Sequence, residues 1–270
     1  MADPIQSLWF GEELSLLEQM SIKSFINHGH PYHLYLYQKF NNVPAGVIIE
    51  DANKIIPENE IFTDHYDSFA TFSDLFRYKL LLDKGGWWVD TDTVCLRPFD
   101  FKTEYVFSSE NLNNTSGKKM RVNSGMIKMP QGCKFVERCY LGSCRAALSL
   151  KRRVLLRSNI RKFFKRDLIK IRMPHWGVIG PVLLDELVPE YGLSKFVQSP
   201  EVFCPLNHFD FKMAVDPNWS FRIPGKAYSV HFWNELWRRC KMDKNIIYDQ
   251  NCLYGRFQRE ILNIGIPFTT

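Results

Sequence analysis

The amino-acid sequence predicts an α/β fold in which parallel strands form a sheet, and two observations predict it. Short apolar runs alternate with amphipathic helical stretches in the order strand, helix, strand through the N-terminal third of the chain. A Gly-Gly pair then separates a second helical pattern from an apolar run that ends in acid at Asp90. In sheets of this kind, ligands bind beyond the carboxyl ends of the strands, which is where Asp90 and Asp92 fall.

The elements follow in order. Ile5 to Phe10 is a short apolar run, and Glu12 to Asn27 carries Leu14, Leu17, Ile22, Phe25 and Ile26 at the spacing of an amphipathic helix. His33 to Tyr37 alternates in strand fashion between Gly29-His30-Pro31 and Asn41-Asn42, and Val47 to Glu50 is a further brief strand. Ser73 to Asp83 reads as a helix with a Ser/Thr cap and Leu80-Leu81-Leu82 inside it; Gly85-Gly86 ends it, because glycine adopts a left-handed cap without strain. Trp87-Trp88-Val89 is the next strand. Beyond Phe101 the pattern gives short strands at Tyr105–Ser108, Ser124–Met129 and Tyr228–Phe232, and a helix over Val182–Leu187 that starts behind Gly180-Pro181.

At 270 residues and 45% hydrophobic, the chain is long enough for a sizeable core, and no repeat or low-complexity linker divides it, so a single domain over 1–270 is expected. No segment approaches the ~18 uncharged apolar residues of a membrane span, and the N-terminus lacks a secretory pattern; a cytoplasmic protein is expected. The seven cysteines, an odd number without a Cys-x-x-Cys pair, resemble neither a disulfide framework nor a zinc site. The net charge of +6 is unevenly spread: Arg145 to Arg172 holds eleven Lys/Arg against the single acid Asp167, interleaved with apolar residues at helical spacing. A basic helical face over 145–172 suits the anionic inner face of a membrane or a phosphorylated acceptor; a solvated helix with snorkelling Lys/Arg stems fits the same pattern. No nucleic-acid motif accompanies the charge, and no nucleic-acid partner is expected.

Two acids at i and i+2 in extended backbone point the same way, so Asp90 and Asp92 can present paired oxygens to Mn²⁺ or Mg²⁺, with Thr91 facing elsewhere. Such a cation binds one or two carboxylates together with substrate phosphates, the coordination a nucleotide diphosphate supplies. An apolar strand with two tryptophans that ends in two acids calls for a partner to neutralise them. Upstream, Asp74, Arg77 and Tyr78 share one helical face; they read either as sugar contacts or as an intrahelical ion pair of a few tenths of a kcal/mol. His231 reads as a metal ligand or as a satisfied core histidine.

Ser73-Asp74-Leu75-Phe76-Arg77-Tyr78, Leu80-Leu81 and Gly85-Gly86-Trp87-Trp88-Val89-Asp90-Thr91-Asp92 together resemble the sugar-binding region containing the DXD motif. That region is shared by yeast initiating mannosyltransferases, glycolipid α-1,4-galactosyltransferases, bacterial polysaccharide transferases and, more distantly, glucosylating bacterial toxins. Leu8-Trp9-Phe10-Gly11 resembles the family's first strand, where the tryptophan of the toxin branch stacks on uracil; Asn123-Ser124-Gly125-Met126 resembles the strand beside the sugar; Gly180-Pro181 resembles a Gly-Pro turn. His231-Phe232-Trp233 and Trp237 resemble the residues that complete metal and diphosphate binding. Two departures stand out. Trp88 occupies the place of a usual Tyr, and Val182-Leu183-Leu184-Asp185 follows Gly180-Pro181 where the family often has Thr.

The resemblance implies a GT-A fold, that is, a Rossmann-like mixed sheet flanked by helices, with helical insertions. It implies a retaining, metal-dependent hexose transfer from a nucleotide-diphosphate sugar, UDP-galactose or UDP-glucose first, to a saccharide or glycolipid acceptor in polysaccharide or lipopolysaccharide assembly. Asp74, Arg77, Asp90 and Asp92 are then the catalytic set. Trp9, Phe10, Asp74, Arg77, Tyr78, Asp90, Thr91, Asn123, Trp233 and Trp237 hold the donor, and Asp90, Asp92 and His231 hold Mn²⁺ or Mg²⁺. A host-protein-modifying transferase and a non-catalytic carbohydrate or anionic-lipid binding module are the alternative readings.

Overall fold

The computed structural model describes residues 2–64, 66–112, 120–145 and 177–264. The predicted basic segment lies outside them except for Arg145. Strand β1 (Ile5–Trp9) leads into helix α1 (Leu16–Asn27), and β2 (Tyr32–Leu36) and β3 (Val47–Asp51) follow. Helix α2 (Ala70–Lys84) precedes β4 (Gly86–Val89) and β5 (Thr93–Cys95); then come β6 (Val106–Asn111), β7 (Met120–Met129) and a helix, α3, over 134–145. Past the undescribed stretch stand α4 (Pro181–Glu190), the single turn α5 (Pro200–Phe203), β8 (Ser229–His231), α6 (Asn234–Arg239) and α7 (Leu253–Leu262).

Six strands form one sheet in the order β3-β2-β1-β4-β7-β6. The first four run parallel; β7 is antiparallel to both of its neighbours, so the sheet is mixed where the strand-helix alternation alone predicts parallel strands. The reversal has a consequence for the site: the Arg121–Gly125 half of β7 lies at the same sheet edge as the carboxyl end of β4. Asp90 N–H donates to Gly125 O at 2.7 Å there. A two-stranded ribbon, β5 with β8, sets Thr93 opposite His231.

Alternation along the strands divides the core into two layers. Leu34, Leu36, Trp87 and Val89 pack with α1 and α7 residues such as Leu17, Phe25 and Phe257 on one face. Leu8, Tyr35 and Trp88 pack with Phe72, Phe76, Leu80 and Leu81 of α2 on the other. Trp87 and Trp88 are 0% and 1% exposed, and each contributes about 1.5–3 kcal/mol or more through the apolar area it removes from water.

Helix α2 begins at Ala70, three residues before the predicted Ser73, and its N-cap Phe69 makes no side-chain cap bond. It ends at Gly85, whose φ of 65° is unfavourable for any residue with a Cβ; a Cβ there would also sit 2.4 Å from the backbone N of Gln131. Helix α1 is capped by Ser15, whose backbone N–H donates to Glu18 Oε2 at 2.9 Å. The helix predicted behind Gly180-Pro181 is present and extends to Glu190.

Candidate active site

The site forms where the carboxyl ends of β1 and β4 meet the reversed strand β7 and the β8–α6 connection. Asp90 follows Val89 directly, but Asp90 to Thr93 is a turn closed by Thr93 N–H to Asp90 O at 3.2 Å, not the extended backbone that the i, i+2 reading assumes. The two carboxylates converge because a turn and the β8 partner bring them together. Oxygen atoms of Asp90 and Asp92 and a ring nitrogen of His231 lie within 4.8 Å of one another, a group able to hold a metal ion.

Each of the three side chains is fixed by named neighbours. The Trp88 indole N–H donates to Asp90 Oδ1 at 2.8 Å. Arg77 Nη2 lies 3.1 Å from the same oxygen and 3.4 Å from Asp74 Oδ1. The Arg77 guanidinium also stands 4.9 Å over the Trp88 ring and donates to Ser124 O. Asp92 Oδ1 lies 3.2 Å from His231 Nε2, and its Oδ2 accepts the Asn234 N–H at 2.6 Å. That second bond depends on Trp233, a bulky residue held at φ 59°, ψ 50°, which turns the chain from β8 into α6. Backbone in this region is strained for a residue with a side chain, and such strain concentrates at functional positions. On β7, a Cβ at Gly125 would fall 2.9 Å from Asp90 Oδ2 and 2.8 Å from Asn123 Oδ1, so only glycine lets the strand approach this closely.

Burial and neighbouring charge set the protonation of the group. Burial lifts the Asp74 carboxyl to about 6 against the opposing pull of Arg77. Burial also raises Asp90, which keeps 27% of its side chain exposed, while Arg77 works against it. Burial disfavours ionisation of Asp92 and His231 too, but their mutual attraction wins: Asp92 is held below the usual carboxylate range and the imidazole is raised well above 6.5. Of the two DXD acids, Asp92 is the more firmly ionised.

Two hollows meet at Asp90, Asp92 and Arg77. One, of about 620 Å³, runs past Trp9, Phe10, Phe69, Thr91 and Lys244. The other, of about 230 Å³, is lined by Asp74, Asn123, Ser124, Glu110, His208 and Trp233 among others. Among the sequence-nominated residues, Trp9, Phe10, Asp74, Arg77, Asp90, Thr91, Asp92, Asn123, His231 and Trp233 are brought to this cleft. Tyr78 and Trp237 line neither hollow. Tyr78 is fully buried in the layer beneath α2, one residue round the helix from Arg77, and Trp237 packs against Tyr254 and Tyr248 in the opposite layer. Both side chains lie in the core and away from the two hollows: helical spacing gives a face, but only packing shows where that face ends. Sequence reasoning missed Glu110, Arg121, His208, Asn234 and the indole N–H of Trp88. Glu110 carried no local signal: the predicted strand ended at Ser108, and the burial of this acid is a tertiary fact.

Residues 17–115, over a third of the chain, match the family model described as glycosyltransferase sugar-binding region containing DXD motif. This stretch is therefore similar to a DXD-type glycosyltransferase sugar-binding region. That region supplies Asp74, Arg77, Trp88, Asp90 and Asp92, whereas Trp9, Asn123, His231 and Trp233 reach the same cleft from outside it. Solved structures similar to the chain include the PaToxG glycosyltransferase, at 13% identity over 71% of each chain with a TM-score of 0.44. Another is the ligand-free glycosyltransferase domain from the YGT toxin, at 8% identity over 77% of this chain and 82% of that one, with a TM-score of 0.47. No curated protein matches the sequence.

Proposed function

We propose that the chain is one GT-A domain that transfers a hexose from a nucleotide-diphosphate sugar, UDP-galactose or UDP-glucose first, to a saccharide or glycolipid acceptor. The observation that carries this reading is the convergence of Asp90, Asp92 and His231 at the junction of two hollows, with Asp74, Arg77 and Asn123 beside them. Two carboxylates and an imidazole fit Mn²⁺ or Mg²⁺, and the donor set leaves room for phosphate oxygens. Bound there, the cation supplies charge stabilisation to the departing diphosphate.

The protein groups divide the remaining work. The larger hollow takes the nucleotide, with Trp9 and Phe10 as its aromatic wall and Thr91 at its floor. Lys244, whose Nζ lies 5.4 Å from the Trp9 ring centre and 2.6 Å from Glu18 Oε1, fixes that wall. Asp74, Arg77 and Asn123 orient the sugar, and the Trp233 ring shields the diphosphate from water. No side chain is assigned as general base, in keeping with retention, in which the acceptor hydroxyl approaches from the face the diphosphate leaves. Membrane contact through 145–172 belongs to the acceptor side of this proposal, on the sequence pattern alone.

The test is Asp92→Ala. Donor turnover is expected to fall ~10²-fold or more and Mn²⁺ binding to be lost, and the metal-free variant is expected to fold with a lowered melting temperature, because His231 and the Asn234 N–H lose their buried partner. A thermal-shift series with UDP- and GDP-sugars, with and without Mn²⁺, identifies the donor. Retained turnover and Mn²⁺ dependence in the variant would falsify the assignment.

A further inference from the structure

The smaller hollow has a wall that the metal centre does not use. On β6, Glu110 is 2% exposed, and its two carboxylate oxygens are engaged separately: Arg121 Nε donates to Oε1 at 2.5 Å and Asn123 Nδ2 to Oε2 at 2.8 Å. His208 comes from a different part of the chain, the 3₁₀ helix His208–Val215, and lines the same hollow. Its Nδ1 is buried and has no hydrogen-bond partner among the described residues. A buried polar atom left unpaired costs about 1–3 kcal/mol, a cost that a hydroxyl in the hollow lined by His208 would relieve once the ring turns its nitrogen toward it.

The chemistry of that ligand follows from the charges. Glu110 and Arg121 neutralise each other, and burial lowers the His208 imidazole, which keeps it neutral at physiological pH. The wall therefore presents hydrogen-bonding groups with no net charge; a phosphate would meet the Glu110 carboxylate and a cation would meet Arg121. Beside it stands the Trp233 ring, whose centre is 5.5 Å from that of His208, in an edge-on arrangement. An apolar plate next to neutral donors and acceptors suits a ligand with one apolar face and a rim of hydroxyls. We propose that Glu110, Arg121 and His208 form a hexose-binding wall in the smaller hollow, in which His208 is the residue that reads a sugar hydroxyl. The inference rests on the reading of the cleft as a nucleotide-sugar site and adds to it the residues that sense the sugar. The hydroxyl can belong to the donor hexose or to an acceptor saccharide, and the experiment separates these.

Affinities for UDP, UDP-galactose and UDP-glucose are measured by calorimetry with Mn²⁺ present. Contacts with methyl β-galactoside and methyl β-glucoside are measured by saturation-transfer NMR, with and without UDP. His208→Phe keeps the ring plane and removes both nitrogens, while His208→Asn restores a polar atom near the Nδ1 position. If the wall reads the donor, His208→Phe reduces the gain in affinity of a UDP-hexose over UDP about tenfold. If it reads the acceptor, that gain persists and the glycoside signal disappears. In either case His208→Asn recovers part of the loss, and Arg121→Lys gives a partial loss of the same kind. Replacing an unpaired nitrogen by apolar carbon should leave the melting temperature of His208→Phe equal to or above that of the native chain. The proposal is overturned if His208→Phe changes neither quantity, or if the native chain shows no preference for UDP-hexose over UDP and no glycoside contact. Absence of UDP binding by the native chain would overturn the function proposed above, and the glycoside measurements without UDP would still decide the wall.

Discussion

Trp88 serves the first acid of the Asp90-Thr91-Asp92 turn in two ways: its indole N–H reaches Asp90 Oδ1 directly, and its ring supports Arg77, which contacts the same oxygen. Two donors on Oδ1 leave Oδ2 as the atom free to turn to a cation or donor. A hydrogen bond to a carboxylate contributes about 1.5–3 kcal/mol, so Trp88→Phe should weaken Mn²⁺ and donor binding roughly tenfold, as read by calorimetry. Asp74 makes a different prediction. Its folded pKa of about 6 exceeds the ordinary 3.8, so between those values the native state holds a proton that the unfolded chain has released. Stability therefore falls as pH rises through that window and stays lower above it. Asp74→Asn removes the penalty: its stability relative to the native chain should be about 1–3 kcal/mol more favourable at pH 7.5 than at pH 4. Denaturant midpoints at the two pH values check this, and equal differences at both would contradict it.

At the scale of elements, the site depends on three junctions. Helix α2 must stop so that β4 starts in register beside β1, and Gly85 is the stop. Gly85→Ala introduces both an unfavourable φ and a contact with rigid backbone at Gln131, and should destabilise the fold by about 2 kcal/mol or more, visible as a lowered melting temperature. The second junction is the strained turn at Trp233, which lends the Asn234 N–H to Asp92. The third is the β5–β8 ribbon, which carries His231 from far along the chain to a position opposite Thr93. Element type was legible wherever a local pattern sufficed: β1, α1, β2, β3 and β4 lie within a few residues of their predicted positions. The start of α2 was misplaced because the expected Ser/Thr cap does not cap it; Phe69 ends the preceding loop and instead stacks on Phe10, with ring centres 4.5 Å apart. Ser68, one residue earlier, accepts the Ala70 N–H through its hydroxyl at 3.2 Å.

For the whole molecule, the charge balance of the proposed cation site links cation binding to pH. In the metal-free protein, burial pushes the His231 imidazole down, but Asp92 raises it well above 6.5. A folded pKa above the unfolded one gives stability that is fully present below 6.5 and lost as pH rises through the folded value. A cation needs the neutral nitrogen, so binding must release that proton, and Mn²⁺ affinity should climb with pH through neutrality by up to about tenfold per unit. Calorimetry in buffers of different ionisation enthalpy reads the proton released; an affinity independent of pH would show that His231 is not displaced from its ion pair by the metal. At about 100 times its dissociation constant, the cation should add about 2.7 kcal/mol to the stability of the folded state.

The sequence by itself determined the strand-helix order of the N-terminal third and the position of the DXD acids at a strand end, because periodicity, glycine punctuation and residue type are local properties. It also nominated most of the cleft, since Asp74, Arg77, Asp90 and Asp92 fall within one contiguous motif. Only the tertiary structure decided that β7 runs against its neighbours, that the two acids meet across a turn, and that Tyr78 and Trp237 are core while Glu110, Arg121 and His208 face the hollow. Those outcomes depend on which buried surfaces pair across long sequence separations. Side chains adjacent on one helix, as Arg77 and Tyr78 are, separate into site and core only when the opposing layer is in place.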